Sequence, residues 1–327
     1  MSFFSNYTGE FIAGLTTISW SICVFPFTEA ARRLGPSSVN HFRLVLALII
    51  VTLITIIAFS FSLTQLFSIP SGNNWFWLGL SGFVGLTLGD YFGFTTYAIL
   101  GTRIGSVFNT LAPGAALLLG FLILGERLNW VGLTGISISV AGIIWLTLNK
   151  KETAALPDHG HGNIKKGIFY GILAAICQGA GLVLYKKGIN ANPNEQMVPI
   201  HAAWIRLFSA AFLLYLITFI RGNFRTITRP FRENHNGGVR YAVAGTIFGP
   251  VIGVTLAGYS IANVEVGVSQ TIFSLIPVLV LPIGYIFYKE RISVMASLGA
   301  LVAIAGVIIL IWRDAIIQYL ITFGIRY

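Results

Sequence analysis

Asp90, in "GLTLGDYFGFTTYAI" (residues 85–99), is the one acid set well inside a long apolar run. A carboxylate surrounded by hydrocarbon is costly, so it must face a partner or a cavity. Burial disfavours its charged form, which suits it to proton coupling. The alternatives are an ion pair with Arg43 or Arg206, solvation at the membrane boundary, or service as counter-ion to a cationic cargo. Arg43 in "HFRL" and Arg206 in "WIRL" each open a further apolar run. Either could hold an anionic cargo group or extend to lipid headgroups, and Lys186 and Lys187 end another run in the same manner. Trp20, Tyr97 and Tyr259 join an aromatic face to a polar handle, which fits stacking on an organic cargo and fits core packing equally. Asn109, Gln178 and Gln270 are amides inside apolar runs and must bind another helix, water or cargo. Pro113 and Pro277 each remove a backbone donor, which either opens a substrate site or kinks the helix passively.

Other signals carry less chemistry. "GLSGFVG" (79–85) looks like a nucleotide loop but lies inside an apolar run, where glycines read as close helix packing. His159 and His161 beside Asp158 fall in a polar linker, and Cys23 and Cys177 fall in apolar runs, so neither a metal site nor a disulfide framework is expected. No nucleophile has an evident base and no acids are paired. The expectation is a protein with no catalytic residues, no metal and no cofactor.

The elements that position these residues follow from composition. Of 327 residues 55% are hydrophobic and only 10% charged, with mean hydropathy +0.80. Soluble domains carry about 25% charged residues. This is the composition of a membrane protein. Apolar windows give ten expected spans, at about 11–31, 42–62, 75–97, 104–124, 130–147, 167–185, 202–220, 240–260, 267–288 and 294–312. They lack the alternation of barrel strands, so the expected fold class is all-α. The first ten residues contain no Lys or Arg, and the first run is expected as a mature span.

Residues 149–166, "NKKETAALPDHGHGNIKK", form a polar linker between 1–148 and 167–312, and 313–327 is expected as an interfacial tail. A shift of 164 positions superposes Pro113 on Pro277, Glu126–Arg127 on Glu290–Arg291, Gly135 on Gly299, Gly142 on Gly306 and Leu146 on Leu310. Arg43 matches Arg206 and Tyr97 matches Tyr259 at slightly different offsets. That is an internal repeat. Five spans per half turn the second half over in the membrane, giving two inverted five-helix repeats with a substrate site between them. Each Glu-Arg pair then occupies a turn, anchored at the interface, with Asn129 or Ser293 capping the next helix.

The stretches "WSICVFPFTEAA", "GLTLGDYFGFTTYAI" and "LAPGAALLLGFLILGERLNWVGLTGISISVAGI" resemble the drug/metabolite transporter superfamily and its EamA-type members. So do "GYSIANVEVGVSQTIFSLIP" and "KERISVMASLGALVAIAGVIIL". The resemblance implies a ten-helix secondary transporter of small metabolites. Its cavity would be lined by the first four helices of each half, with the fifth and tenth as braces. Many relatives have a Lys near the end of the first span, where this chain has Thr28 and Glu29.

Fifteen of the 21 basic residues fall in loops after odd-numbered spans, which puts both termini outside by the positive-inside rule. The resemblance implies the reverse. The net charge of +10 is then a property of loops facing anionic lipid, with no nucleic-acid partner expected. The expected function is a secondary-active carrier of the cell membrane. It would export a small polar metabolite such as an amino acid, driven by proton exchange or by the cargo gradient, since no ATP-binding loop is present. Expected partners are the small-molecule substrate and the bilayer, the chain acting as monomer or homodimer. The competing class is a non-transporting membrane protein, either an intramembrane enzyme or a sensor. The inverted repeat predicts that cysteines replacing Glu126 and Glu290 are labelled from opposite sides of intact cells; labelling of both from one side rejects the topology.

Overall fold

The computed structural model describes residues 7–93, 95–96, 99, 108–148, 164–192, 197–234, 237–288 and 294–322. Every regular element among them is helical. In hydrocarbon each backbone N–H and C=O must be satisfied within its own segment, and a helix does this.

The first half holds α1 (Thr8–Leu34), α2 (Pro36–Phe59), the short α3 (Leu63–Ser68), α4 (Gly72–Ser81), α5 (Ala112–Leu124) and α6 (Trp130–Leu148). The second holds α7 (Ile164–Ile189), α8 (Pro199–Ile220), the amphipathic α9 (Phe224–Glu233), α10 (Gly238–Thr246), α11 (Val254–Asn263), α12 (Val266–Phe273), α13 (Ile276–Tyr288), α14 (Val294–Ile311) and α15 (Arg313–Thr322). Local chemistry sets the ends. Gly35, at φ +85, turns the chain between α1 and α2, and Pro36 starts α2. Ser62 with Gln65 and Ser71 with Asn74 form capping boxes at α3 and α4. Gly125 closes α5 in the left-handed region, and Asn129 Oδ1 accepts from Gly132 N at 2.8 Å, capping α6 as expected.

Seven helical stretches among the described residues are long and apolar enough to cross a membrane, and Ala112–Leu124 and Trp130–Leu146 are shorter apolar helices. Large apolar side chains stand on the outside, with Ile57 77%, Leu122 65% and Leu301 62% exposed. Such a surface suits lipid and not water.

Two departures from ideal helix fall at matched places. α4 runs on into a π-helical stretch at Gly82–Gly89, and a second π stretch at Ile247–Gly253 joins α10 to α11. A shift of 164 carries Gly85 and Gly89 onto Gly249 and Gly253. The glycines permit close approach: a Cβ on Gly85 would lie 3.4 Å from Gly181 Cα, and one on Gly249 would lie 3.4 Å from Cys23 Sγ. The "GLSGFVG" glycines are therefore packing residues, as expected. The second departure corrects the reading of the prolines. Pro113 and Pro277 do not kink continuous helices. They sit in the first turns of α5 and α13, after turns at Thr110–Leu111 and Ser274–Leu275, where the N–H that proline lacks would have no partner within the helix.

α6 and α14 pack along a seam of small residues. A Cβ on Gly135 would lie 2.8 Å from Gly306 O, and one on Gly142 would lie 2.8 Å from Gly299 O. Climbing α6 therefore means descending α14, so the two are antiparallel. The contacts are also reciprocal: Gly135 meets Leu310, and its repeat mate Gly299 meets Leu146, the repeat mate of Leu310. A side chain at Gly142 has only backbone to displace, so Gly142→Leu is expected to cost about 3 kcal/mol or more of stability. Thermal unfolding in detergent checks this, with Gly14→Leu, at an open position, expected to change little.

Candidate functional site

The first polar cluster joins α2, the end of the first π stretch and α7. Arg43 Nη2 donates to Asp90 Oδ2, and Gln178 Nε2 donates to Asp90 Oδ1 at 3.3 Å. Arg43 Nε donates to Asn40 Oδ1 at 2.8 Å, and the guanidinium stands 5.8 Å from the Phe27 ring. Both ion-pair side chains are 14% exposed. Of the alternatives for Asp90, the Arg43 pair is the one present, and Gln178 finds its required partner on another helix. Arg43 turns inward and does not extend to headgroups.

The second cluster joins α1 to the second π stretch and to the break between α12 and α13. Thr16, Thr17, Ser19 and Ser21 form a buried hydroxyl stripe on α1. Ser19 Oγ donates to Phe248 O at 2.6 Å, Trp20 Nε1 to Gly249 O at 3.3 Å and Thr17 Oγ1 to Ile272 O at 3.0 Å. The Trp20 ring meets Phe273 edge-on, centroids 5.0 Å apart. Carbonyls loosened by the π turns and the break thus receive donors from α1, which water cannot supply here. The stripe was visible as "TTISWS" but carries no charge to mark it.

The third cluster closes the end of the bundle that carries the start of α1. Lys186 Nζ lies 2.7 Å from Glu126 Oε1 and donates to Val264 O at 2.8 Å. Glu126 Oε2 accepts from Val266 N at 2.9 Å, at the start of α12. Arg313 lies 3.3 Å from Glu10 and 2.9 Å from Glu265. Asn129 Nδ2 donates to Asp314 Oδ1 at 2.9 Å. Glu126 is therefore more than a turn anchor reaching water: its side chain is 15% exposed and ties α5 to α7 and α12. Lys186 likewise bonds inward, while Lys187 stands 4.1 Å over the Trp77 ring. Sequence spacing does not bring Glu10, Glu265 and Arg313 together; their positions beside span ends were the available signal.

At the opposite end a cavity of about 540 Å³ lies between α1 and α9, lined by Arg33, Leu34, Arg225, Thr226, Arg229, Pro230 and Glu233. The Glu233 carboxylate, 2.7 Å from Arg229, raises that guanidinium above its ordinary pKa.

The remaining expected site residues are scattered. Asn109 is exposed and not buried; it is the last helical residue before the turn at Thr110–Leu111 that interrupts the span ahead of α5. Tyr259 and Gln270 are half-buried; their carbonyls accept from Asn263 Nδ2 and Ser274 N. Pro113 is buried and Pro277 half-buried. Tyr97, Glu290, Arg291, Ser293 and the His159–His161 tract lie outside the described residues. Among the described residues no group of three His, Cys, Asp or Glu could hold a metal.

The sequence matches the EamA-like transporter family over residues 7–148 and again over 165–312. The chain belongs to this family. It is a multi-pass membrane protein. One relative of this EamA-like chain is a probable terminal-alkyne amino-acid exporter of Streptantibioticus cattleyicolor, 23% identical over 209 residues, or 63% of this chain. The match spans 62% of that relative's length. A solved crystal structure shares the fold, with TM-score 0.67 and 15% identity, covering 93% of this chain and 98% of the other.

Removing one partner of a buried ion pair leaves an uncompensated charge, so Arg43→Met is expected to lose about 3 kcal/mol or more of stability. Adding Asp90→Leu should recover most of that loss in the same unfolding measurement. Additive losses in the double variant would show that the pair does not couple.

Proposed function

We propose that this EamA-like transporter is a secondary-active exporter of a small polar metabolite, an amino acid or related compound. It works by alternating access between two inverted five-helix halves, 1–148 and 167–312, joined by the linker 149–166 and followed by the tail 313–327. The observation that carries the reading is the polar closure at one end. Glu10 and Glu126 of the first half hold Arg313, Lys186 and the Val266 N–H from beyond the linker. Ion pairs and single hydrogen bonds can open and re-form, whereas the glycine seam between α6 and α14 cannot slide without clash.

Support for a midplane site comes from the paired interruptions before Pro113 and Pro277 and the paired π stretches, since discontinuous helices expose backbone groups to cargo. The reciprocal α6–α14 contacts support the inverted halves. Trp20, Asp90, Tyr97, Asn109, Pro113, Gln178, Tyr259, Gln270 and Pro277 remain the proposed substrate-contacting set. For amino-acid cargo the support is the name of the Streptantibioticus relative. Proton coupling is assigned to Asp90: a proton there would release Arg43, linking titration to movement of α2 against the first π stretch. The chain has no catalytic role in this reading.

Counterflow in proteoliposomes tests it, using labelled L-amino acids with L-propargylglycine among them. Exchange without chemical change of the cargo is expected, while turnover without exchange supports an enzyme. Asp90→Asn is expected to abolish pH-driven uptake and keep counterflow; unchanged pH dependence rejects the proton role.

A further inference from the structure

Arg206, on α8, occupies the position in the second half that Arg43 occupies in the first. Both guanidiniums stand near an aromatic ring, but their polar partners differ. Arg43 faces Phe27 of α1, and Arg206 stands 5.0 Å over the Tyr185 ring of α7. Arg43 has Asp90 and Asn40 as partners. Arg206 is 3% exposed, its Nε has no hydrogen-bond partner, and among the described residues no carboxylate pairs with it. The shift of 164 that matches the π-stretch glycines carries Asp90 onto Val254, which is apolar and buried. The second half therefore keeps the cation and has lost its counter-ion.

The chain also clears room for the guanidinium. A Cβ on Gly85 would lie 2.7 Å from Arg206 Nη2, and one on Gly181 would lie 3.4 Å from it. Ser81 Oγ donates to Gly181 O at 2.6 Å, holding α4 and α7 together beside this notch. With Arg43 and Asp90 neutralising each other, Arg206 is left as a buried cation with no paired carboxylate among the described residues. A guanidinium offers five donors in a fork that matches a carboxylate, and one aromatic face does not satisfy them.

We propose that Arg206 is the anion-binding centre of the substrate pathway and that the cargo supplies the missing counter-charge as a carboxylate or similar small monoanion. The proposal rests on the transporter reading above and narrows its substrate class. Cargo that binds here replaces the charge that Asp90 provides in the first half, so occupancy makes the two halves electrostatically alike. A free amine of the same carbon skeleton is excluded by repulsion from Arg206.

The test is a thermal-shift titration of the purified chain in detergent, independent of any transport assay. Probes are L-propargylglycine, L-leucine, acetate and sodium chloride, with but-3-yn-1-amine and isopentylamine as the decarboxylated counterparts. The carboxylate-bearing compounds are expected to raise the melting temperature of the wild type, and the amines are not. Arg206→Gln is expected to weaken that response at least 10-fold in ligand concentration, and Arg206→Lys to retain part of it. Val254→Asp supplies an internal counter-ion and is expected to abolish the response while keeping a cooperative melt, which guards against misfolding of the Arg206 variants. Stabilisation that survives in Arg206→Gln, equal stabilisation by acid and amine, or no stabilisation of the wild type by any carboxylate overturns the proposal. Failure of counterflow with intact carboxylate binding would instead count against the transport reading.

Discussion

The structure is governed by the absence of water around most of its backbone. In that medium a donor or acceptor left alone costs far more than it would at a wet surface, so polar groups inside the bundle are drawn to partners in the chain, with Arg206 Nε and Ser139 Oγ as exceptions. Thr52, Thr55, Thr246 and Thr255 each turn their hydroxyl back onto the carbonyl four residues earlier. Trp204, buried at 3%, places its indole N–H on Thr52. Tyr185, fully buried, donates to Pro199 O. The same constraint draws the hydroxyl stripe of α1 onto the loosened carbonyls of the second π stretch and of the α12–α13 break.

Two kinds of helix contact divide the bundle. Along α6 and α14 glycines let backbones touch, which maximises dispersion contact and leaves nothing that can rearrange cheaply. The continuous α1 and α7 pack against interrupted elements, α4 with its π stretch and α10 to α13, through side chains that carry alternatives: a hydroxyl between two carbonyls, an amide beside a carboxylate, a Lys between a Glu and a carbonyl. The first kind suits a brace and the second suits elements that move. Polar bonds are also directional, so each closure is geometrically specific when made and is lost over a small displacement.

Particular residues show how far sequence reasoning reached. The span positions were legible because apolar run length and Gly, Pro and Ser punctuation are local properties; α1 and α8 begin three residues before the expected 11 and 202, while α2 begins at Pro36, six residues before the expected 42. Asp90 stood out because one acid in an apolar run has a large cost. Glu126 was read too modestly, since a Glu beside an Arg in a turn resembles an interface anchor unless the partner from the other half is known. Asn109 was read too deep, since hydropathy does not reveal that a helix is broken at Thr110–Leu111.

By itself the sequence determined the helical class, the membrane medium and the duplicated pattern. All three are consequences of composition and of spacing within one or two turns, where the physics is transfer free energy and backbone satisfaction. The tertiary structure decided which of the two inward arginines is neutralised, which end of the bundle is latched and where the glycines clear space. Those outcomes depend on distances between residues far apart in the chain, such as Arg43 and Asp90, Arg313 and Glu10 or Arg206 and Gly85, and a Coulomb or steric interaction is set by that distance and not by order along the chain.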